Sequence, residues 1–361
     1  MKKIAILATY VGVINRGAET FVIELADKLC HKYDVTVYSM GEGTRIAPLI
    51  RQVKVEKRWY MRMLERFMQC RIGKKLLYRS YWLLPTELLQ RTFNKAVYEK
   101  YLQHEHYDLI FVNNGYWGTH YARKVRDAHG TPFVVTAHGG YEPKLWLEEP
   151  DCYVAIADQW KQKVKKIYPK VCEIMNGVDC QLFKPNSVDI GQHTKEKTIL
   201  VVAAFSRFKR HYLAIDAVAL LPDVRLVFLG KGELEAQLRE YGKRKLGNRF
   251  EISSLPYSKM NNAYHKADLF TLPSENEPCG IVYLEALASN LPVVATDDPV
   301  RREVIGDAGI LCDCTDAKTY ATAISEALAR DWGDLPRQQA LKYDWNVVAE
   351  RYAELFEQVM K

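Results

Sequence analysis

No run of this 361-residue chain stays apolar for the ~20 residues that a membrane-spanning helix needs. The first apolar stretch, Ile4–Val13, follows two lysines, yet no small-residue cleavage site comes after it. It leads through Gly12 into an amphipathic segment, so it is read as a first buried strand rather than a leader. No Cys-x-x-Cys pattern occurs among the 8 cysteines. Cys312 and Cys314, with one residue between them, are expected to point to opposite faces and to make a poor metal pair. Free thiols in a reducing, cytoplasmic compartment are the expectation, and no metal site is.

What is present is enough for two domains, with 48% hydrophobic residues and no long low-complexity tract. The net charge of +7 is uneven, because residues 51–100 carry 13 Lys and Arg against 4 Asp and Glu. Aromatic and apolar residues such as Trp59, Tyr60, Phe67, Tyr78 and Trp82 interleave those cations. Such a segment suits an anionic membrane surface, on the inner face of the cytoplasmic membrane, and equally suits an amphipathic helix that covers a sheet. Nucleic acid is the least favoured partner.

Short apolar runs alternate with helical patterns. KIAILAT, DVTVYSM, YDLIFVNN, TPFVVTAH and DCYVAIA read as strands, with Asp158 capping the helix after the last. The polar, turn-rich stretch 176–197 reads as a linker. The alternation then restarts with TILVVAAF, VRLVFLG, RFEIS, ADLFTLP, LPVVAT and AGILCD. This predicts an α/β chain of two Rossmann-like, doubly wound parallel sheets, with ligands at the carboxyl ends of the strands. The last segment is an amphipathic helix with Val347, Val348, Tyr352, Leu355, Phe356 and Val359 on one face.

The stretch PSENEPCGIVYLEALAS places Glu275 and Glu277 before a glycine turn and Glu285 in the helix after it. A helix N-terminus behind Gly280 attracts phosphate, and carboxylates accept hydrogen bonds from vicinal hydroxyls. Surface decoration is the bland account of all three glutamates; a grip on a nucleotide sugar is the sharper one. Glu275 is read as a solvated turn residue, and Arg210 as a solvated face.

Glu277, seven residues, Glu285 and ALASNLPVVATD resemble the signature of retaining GT-B glycosyltransferases, family 4 above all. MNGVDCQLFKP, FSRFKRHYLAIDAVALL, FLGKGELEAQL, RGAETFVIELADKL and the closing YDWNVVAERYAELFE resemble further family segments, in order. The resemblance implies a GT-B fold: residues 1–185 bind acceptor, 186–344 bind the nucleotide sugar, and 345–361 cross back to the first domain. It implies that Glu277 contacts donor-sugar hydroxyls and Glu285 the ribose. Arg207 and Lys209 would neutralise the diphosphate, and the backbone of Cys279, Gly280 and Ile281 would cradle it. His138 would stand near the transferred sugar, with Gly17 lining the opposite wall. Arg16, Asn113, Asn114 and Tyr116 are the candidate acceptor contacts; loop packing explains the last three as well. Two departures stand out. Ala203 and Ala204 occupy the place of the family's Gly-Arg, so Arg207 is expected to take over that charge, and Arg16 precedes Gly17 where the family pairs glycines.

The expected reaction is sugar transfer from a nucleoside diphosphate sugar to an acceptor hydroxyl with retention, needing no cofactor or metal. The acceptor would be a glycan, a lipid-linked saccharide or a small molecule. The alternatives are a GT-B nucleotide-sugar epimerase and a non-catalytic nucleotide-sugar-binding protein.

Overall fold

The computed structural model describes residues 1–13, 17–41, 49–55, 63, 83–139, 143–185, 196–275 and 277–361. Most of the basic aromatic segment, Arg16 and Asn276 lie outside these. The chain forms two compact units, Met1–Met175 with Val348–Lys361, and Asn176–Val347.

Unit 1 holds β1 (Lys3–Leu7), β2 (Asp34–Ser39), β3 (Arg51–Lys54), β4 (Leu109–Asn113), β5 (Phe133–Thr136), β6 (Cys152–Ala155) and β7 (Val171–Glu173). They pair in the order β3-β2-β1-β4-β5-β6-β7, all parallel. β1, β4, β5 and β6 are buried along almost their whole length, as strands covered on both faces must be. Unit 2 repeats the pattern with β8 (Lys197–Val202), β9 (Val224–Leu229), β10 (Phe250–Ser253), β11 (Leu269–Leu272), β12 (Val293–Thr296) and β13 (Gly309–Cys312). Their order is β10-β9-β8-β11-β12-β13, again all parallel. In both units the first strand sits at the reversal of strand order, where open sheets present ligand sites.

Several expectations change. Asp158 is not a cap: it is the first residue of the helix Asp158–Lys165, whose N-cap is Ala157, and its carboxylate instead accepts from Gln162 at 3.0 Å. The start of the linker is not loose chain. Val178, Cys180 and Phe183 are buried, the Phe183 ring meets Tyr257 and Tyr264, and Arg337 donates to the carbonyls of Cys180 and Phe183 at 2.7 Å each. Val347 is 41% exposed, and Ala349 and Ala353 take its place on the buried face of the helix Trp345–Val359. That helix docks on unit 1 through Tyr352, whose ring lies 5.6 Å from both Phe21 and Phe111. Cys312 and Cys314 do not point apart. Residues two apart share a face, and their sulfurs lie 3.8 Å from each other. No helix among the described residues is long and apolar enough to cross a membrane.

Candidate active site

In unit 2 the chain leaves β8, turns through Ala203–Ser206 and makes one tight turn at Arg207–Lys209. This turn runs hard against the loop after β9. A Cβ on Gly230 would meet the Ala203 carbonyl oxygen at 1.9 Å, and one on Gly232 would meet that of Phe205 at 2.4 Å. The glycines therefore let two loops lie side by side. Phe205 N–H donates to the Lys231 carbonyl at 2.9 Å across the contact.

The second half of the site follows β11. Pro273 and Ser274 are buried, Glu275 is exposed, and Glu277 is half-buried. Lys209 donates to the Glu277 carboxylate, and the Ser274 hydroxyl donates to the same oxygen at 3.2 Å. The two charged side chains are only 13% and 11% exposed, so the pair is held largely out of water. Among the described residues the Lys209 ammonium has Glu277 as its one hydrogen-bond partner, which leaves two of its N–H groups for another acceptor. Gly280 has φ +75, and a Cβ there would fall 2.4 Å from the Tyr283 ring and 2.8 Å from Cγ of Glu277. Only glycine brings Glu277 that close to the start of the helix Ile281–Ala288. No side chain caps that helix, and Pro278 supplies no N–H, so the amides from Cys279 onward are the donors available at its N-terminus.

Glu285 lies one turn into this helix and is 6% exposed. The Tyr264 hydroxyl donates to it at 2.7 Å. Burial pushes its carboxyl up to about 7, and the Tyr264 hydrogen bond opposes that rise only in part. Cys279 is buried, and burial raises its thiol to about 12, which keeps it protonated and unreactive.

In unit 1 the candidate residues gather at the ends of β4 and β5. Asn113 gives an amide N–H to the Ala18 carbonyl at 3.3 Å, so its oxygen faces His138 and accepts from Nε2 at 2.8 Å. Asn114, at φ 61, accepts the His138 backbone N–H at 2.8 Å, and the Phe21 ring packs against the imidazole, tilted by 59° with ring centres 4.4 Å apart. Tyr116 belongs to a second cluster. Its hydroxyl donates to Glu148 at 2.7 Å, and His120 Nδ1 meets the same oxygen at 2.9 Å. Burial alone would raise the Glu148 carboxyl, yet those two bonds and the charges of His120 and Arg123 hold it below its ordinary value. Gly17 opens the helix Gly17–Leu29 and is exposed.

Residues 15–182 match the family model described as Glycosyltransferase Family 4, and residues 183–343 match that described as Glycosyl transferases group 1. The chain belongs to the family 4, group 1 glycosyltransferases. It is similar to alpha-maltose-1-phosphate synthase of Mycolicibacterium smegmatis, at 26% identity over 64% of this chain and 74% of the relative. In fold it is similar to sucrose-phosphate synthase from Thermosynechococcus elongatus, with TM-score 0.75, 19% identity and 99% of each chain covered. It also resembles Anabaena Alr3699/HepE in complex with UDP-glucose, with TM-score 0.74, 18% identity, and 99% of this chain and 100% of that chain covered. The two sheets are those of a GT-B glycosyltransferase.

In this glycosyltransferase, Lys209, Glu277, Cys279, Gly280 and Ile281 come together in unit 2, with Glu285 one turn below. Arg207 does not join them: it is exposed and has no ion-pair partner among the described residues. Asn113, Asn114 and His138 form one bonded group in unit 1, whereas the Tyr116 hydroxyl is turned to Glu148. Arg16 lies outside the described residues. Arg210 is the correction. Its guanidinium is no solvated face but donates to the carbonyls of Pro273 at 2.7 Å and Ser274 at 3.2 Å and to the Thr296 hydroxyl at 3.0 Å. Arg301, missed in the sequence, is 0% exposed beneath the same loop. Its one sequence cue is the Asp298-Pro299 helix start three residues upstream, where Asp298 accepts the Arg301 N–H at 2.8 Å. Among the described residues, no group of three or more His, Cys, Asp or Glu is arranged to hold a metal ion.

Proposed function

We propose that this glycosyltransferase moves a sugar from a nucleoside diphosphate sugar to an acceptor hydroxyl with retention of configuration. The observation that carries the reading is the Lys209–Glu277 pair at the uncapped N-terminus of the helix Ile281–Ala288. It sets a cation, backbone N–H groups and a carboxylate side by side, which are the partners that a diphosphate and its attached sugar require. The bond between the anomeric carbon and the diphosphate oxygen breaks, and the acceptor oxygen bonds to that carbon from the same face. The acceptor proton passes to the departing phosphate. Lys209 and the amides of Cys279, Gly280 and Ile281, with Arg207 on the neighbouring exposed turn as a second cation, stabilise the charge that grows on the leaving group. Glu277 holds sugar hydroxyls, and Glu285 with Tyr264 holds the ribose. No side chain acts as nucleophile, and protein cations take the place of a metal. In the same reading His138, fixed by Asn113 and Asn114, serves the transferred sugar, Gly17 serves the donor, and Arg16 is an acceptor contact. That acceptor is a glycan, a lipid-linked saccharide or a small molecule. The basic segment 51–100 favours one presented at an anionic membrane surface. Binding of UDP-glucose by Anabaena Alr3699/HepE supports a nucleotide sugar as donor.

A thermal-shift panel of UDP, GDP, ADP and their glucose or mannose conjugates is the test. At a hundred times its Kd, a ligand that binds only the folded chain adds about 2.7 kcal/mol of stability. One nucleotide family is expected to shift the transition, and its sugar conjugate to shift it further. No shift with any of them would remove the reading. Conversion of the donor to a sugar isomer without acceptor would replace it with epimerisation.

A further inference from the structure

The loop that carries Glu277 has little regular structure, yet it is held by two guanidinium groups that no catalytic role requires. Arg301 rises from the helix Pro299–Ile305 beyond β12 and is wholly buried. A buried guanidinium is tolerated only where its N–H groups are filled. Here Nε donates to the Thr296 carbonyl at 2.7 Å, Nη1 to the Ser274 hydroxyl at 3.1 Å, and Nη2 to the Ser274 carbonyl at 3.0 Å and the Asp298 carboxylate at 2.5 Å. Arg210 also grips the Pro273 and Ser274 carbonyls, sharing the Ser274 oxygen with Arg301. Glu275 N–H closes the enclosure on the Phe208 carbonyl at 2.8 Å.

The direction of the hydrogen bonds matters as much as their number. A guanidinium donates and never accepts. Ser274 must therefore offer Arg301 a lone pair, and its own O–H is turned to Glu277, 3.2 Å away. We infer that Arg301 and Arg210 are positioning residues for the donor sugar, acting through Ser274 to set the place and orientation of the Glu277 carboxylate. This rests on the proposed contact between Glu277 and the sugar.

Two measurements separate the clamp from that contact. The first needs no ligand: hydrogen exchange in the peptide 270–280 of the full-length chain. Arg301→Lys and Arg210→Lys are each expected to raise exchange at the Glu275 amide about tenfold, while Ser274→Ala, which spares both carbonyl contacts, leaves it unchanged. Wild-type exchange in the folded lysine variants would overturn the clamp, whatever the donor proves to be. The second is titration with UDP-glucose and with UDP, or with the nucleotide pair that gives the largest thermal shift. Ser274→Ala and Arg301→Lys are expected to weaken the sugar conjugate about tenfold and the bare diphosphate less than about twofold, with Ser274→Thr restoring affinity through its hydroxyl. Unchanged affinity for the conjugate in folded Ser274→Ala would overturn the Ser274 relay. Equal weakening of both ligands, with exchange raised as expected, would leave the clamp standing and remove Glu277 from the sugar. If Arg301→Lys does not fold, Arg210→Lys decides the exchange arm and Ser274→Ala the binding arm.

Discussion

Replacing Lys209 with methionine is expected to lower kcat for glycosyl transfer by about 10²–10³-fold, with a smaller change in KM. The asymmetry follows from where the charge appears. The diphosphate is already anionic when the donor binds, but further negative charge collects on the bridging oxygen only as the anomeric bond breaks. A cation aimed there favours the transition state over the ground state. The ammonium is set for this role because Glu277, itself held by the Ser274 hydroxyl, keeps it in a largely dry site. The variant leaves the Glu277 carboxylate without its cation. Breaking a buried pair by removing one partner costs about 3–5 kcal/mol, and this site, partly open to water, sits below that range. Lys209→Met/Glu277→Gln removes both charges and is expected to recover most of that stability while staying inactive. A folded Lys209→Met protein with kcat within about threefold of wild type would exclude transition-state stabilisation by this residue.

Glu285 gives the second large effect, and it is a gain in stability. Its folded-state carboxyl sits at about 7 against an ordinary value of 4.5. Between those values the folded chain keeps a proton that the unfolded chain has released. Stability therefore falls as pH rises through that window, and above it the buried carboxylate is a net burden of about 3 kcal/mol. Glutamine keeps the shape and still accepts from the Tyr264 hydroxyl, but it has no charge to desolvate. Glu285→Gln is expected to be about 3 kcal/mol more stable than wild type at pH 8 and no more stable at pH 4. It should lose about tenfold or more in affinity for the nucleotide. A group that weakens the fold and strengthens the ligand complex is what a binding site requires. Urea unfolding at the two pH values checks the first half and titration the second. Equal stability of variant and wild type at pH 8, or full affinity in the variant, would contradict this role.

The sheets were legible because their strands are apolar runs in a periodic order. β3 and β7 were not. Arg51–Lys54 and Val171–Glu173 are short edge strands with half-exposed residues, so neither carries an apolar run. Glu277, Gly280 and Glu285 were legible as a motif within nine residues of sequence. Arg301 and Arg210 were not, because each acts on Ser274 from a distant part of the chain. An arginine beside other cations reads as a solvated face until the fold places carbonyl oxygens around it. Val347 failed for a related reason. Its spacing suits the buried stripe, but the stripe turns toward Ala349 and Ala353, which are buried in its place.

The central claim is that unit 2 grips a nucleoside diphosphate sugar between the Lys209 turn and the helix Ile281–Ala288. A crystal structure of the full-length chain with the conjugate that gives the largest thermal shift tests it most directly. The account predicts phosphate oxygens on Lys209 and on the amides of Gly280 and Ile281, sugar hydroxyls on Glu277, and the ribose on Glu285. A ligand bound elsewhere, with Lys209 and Glu277 still paired only to each other, would contradict it.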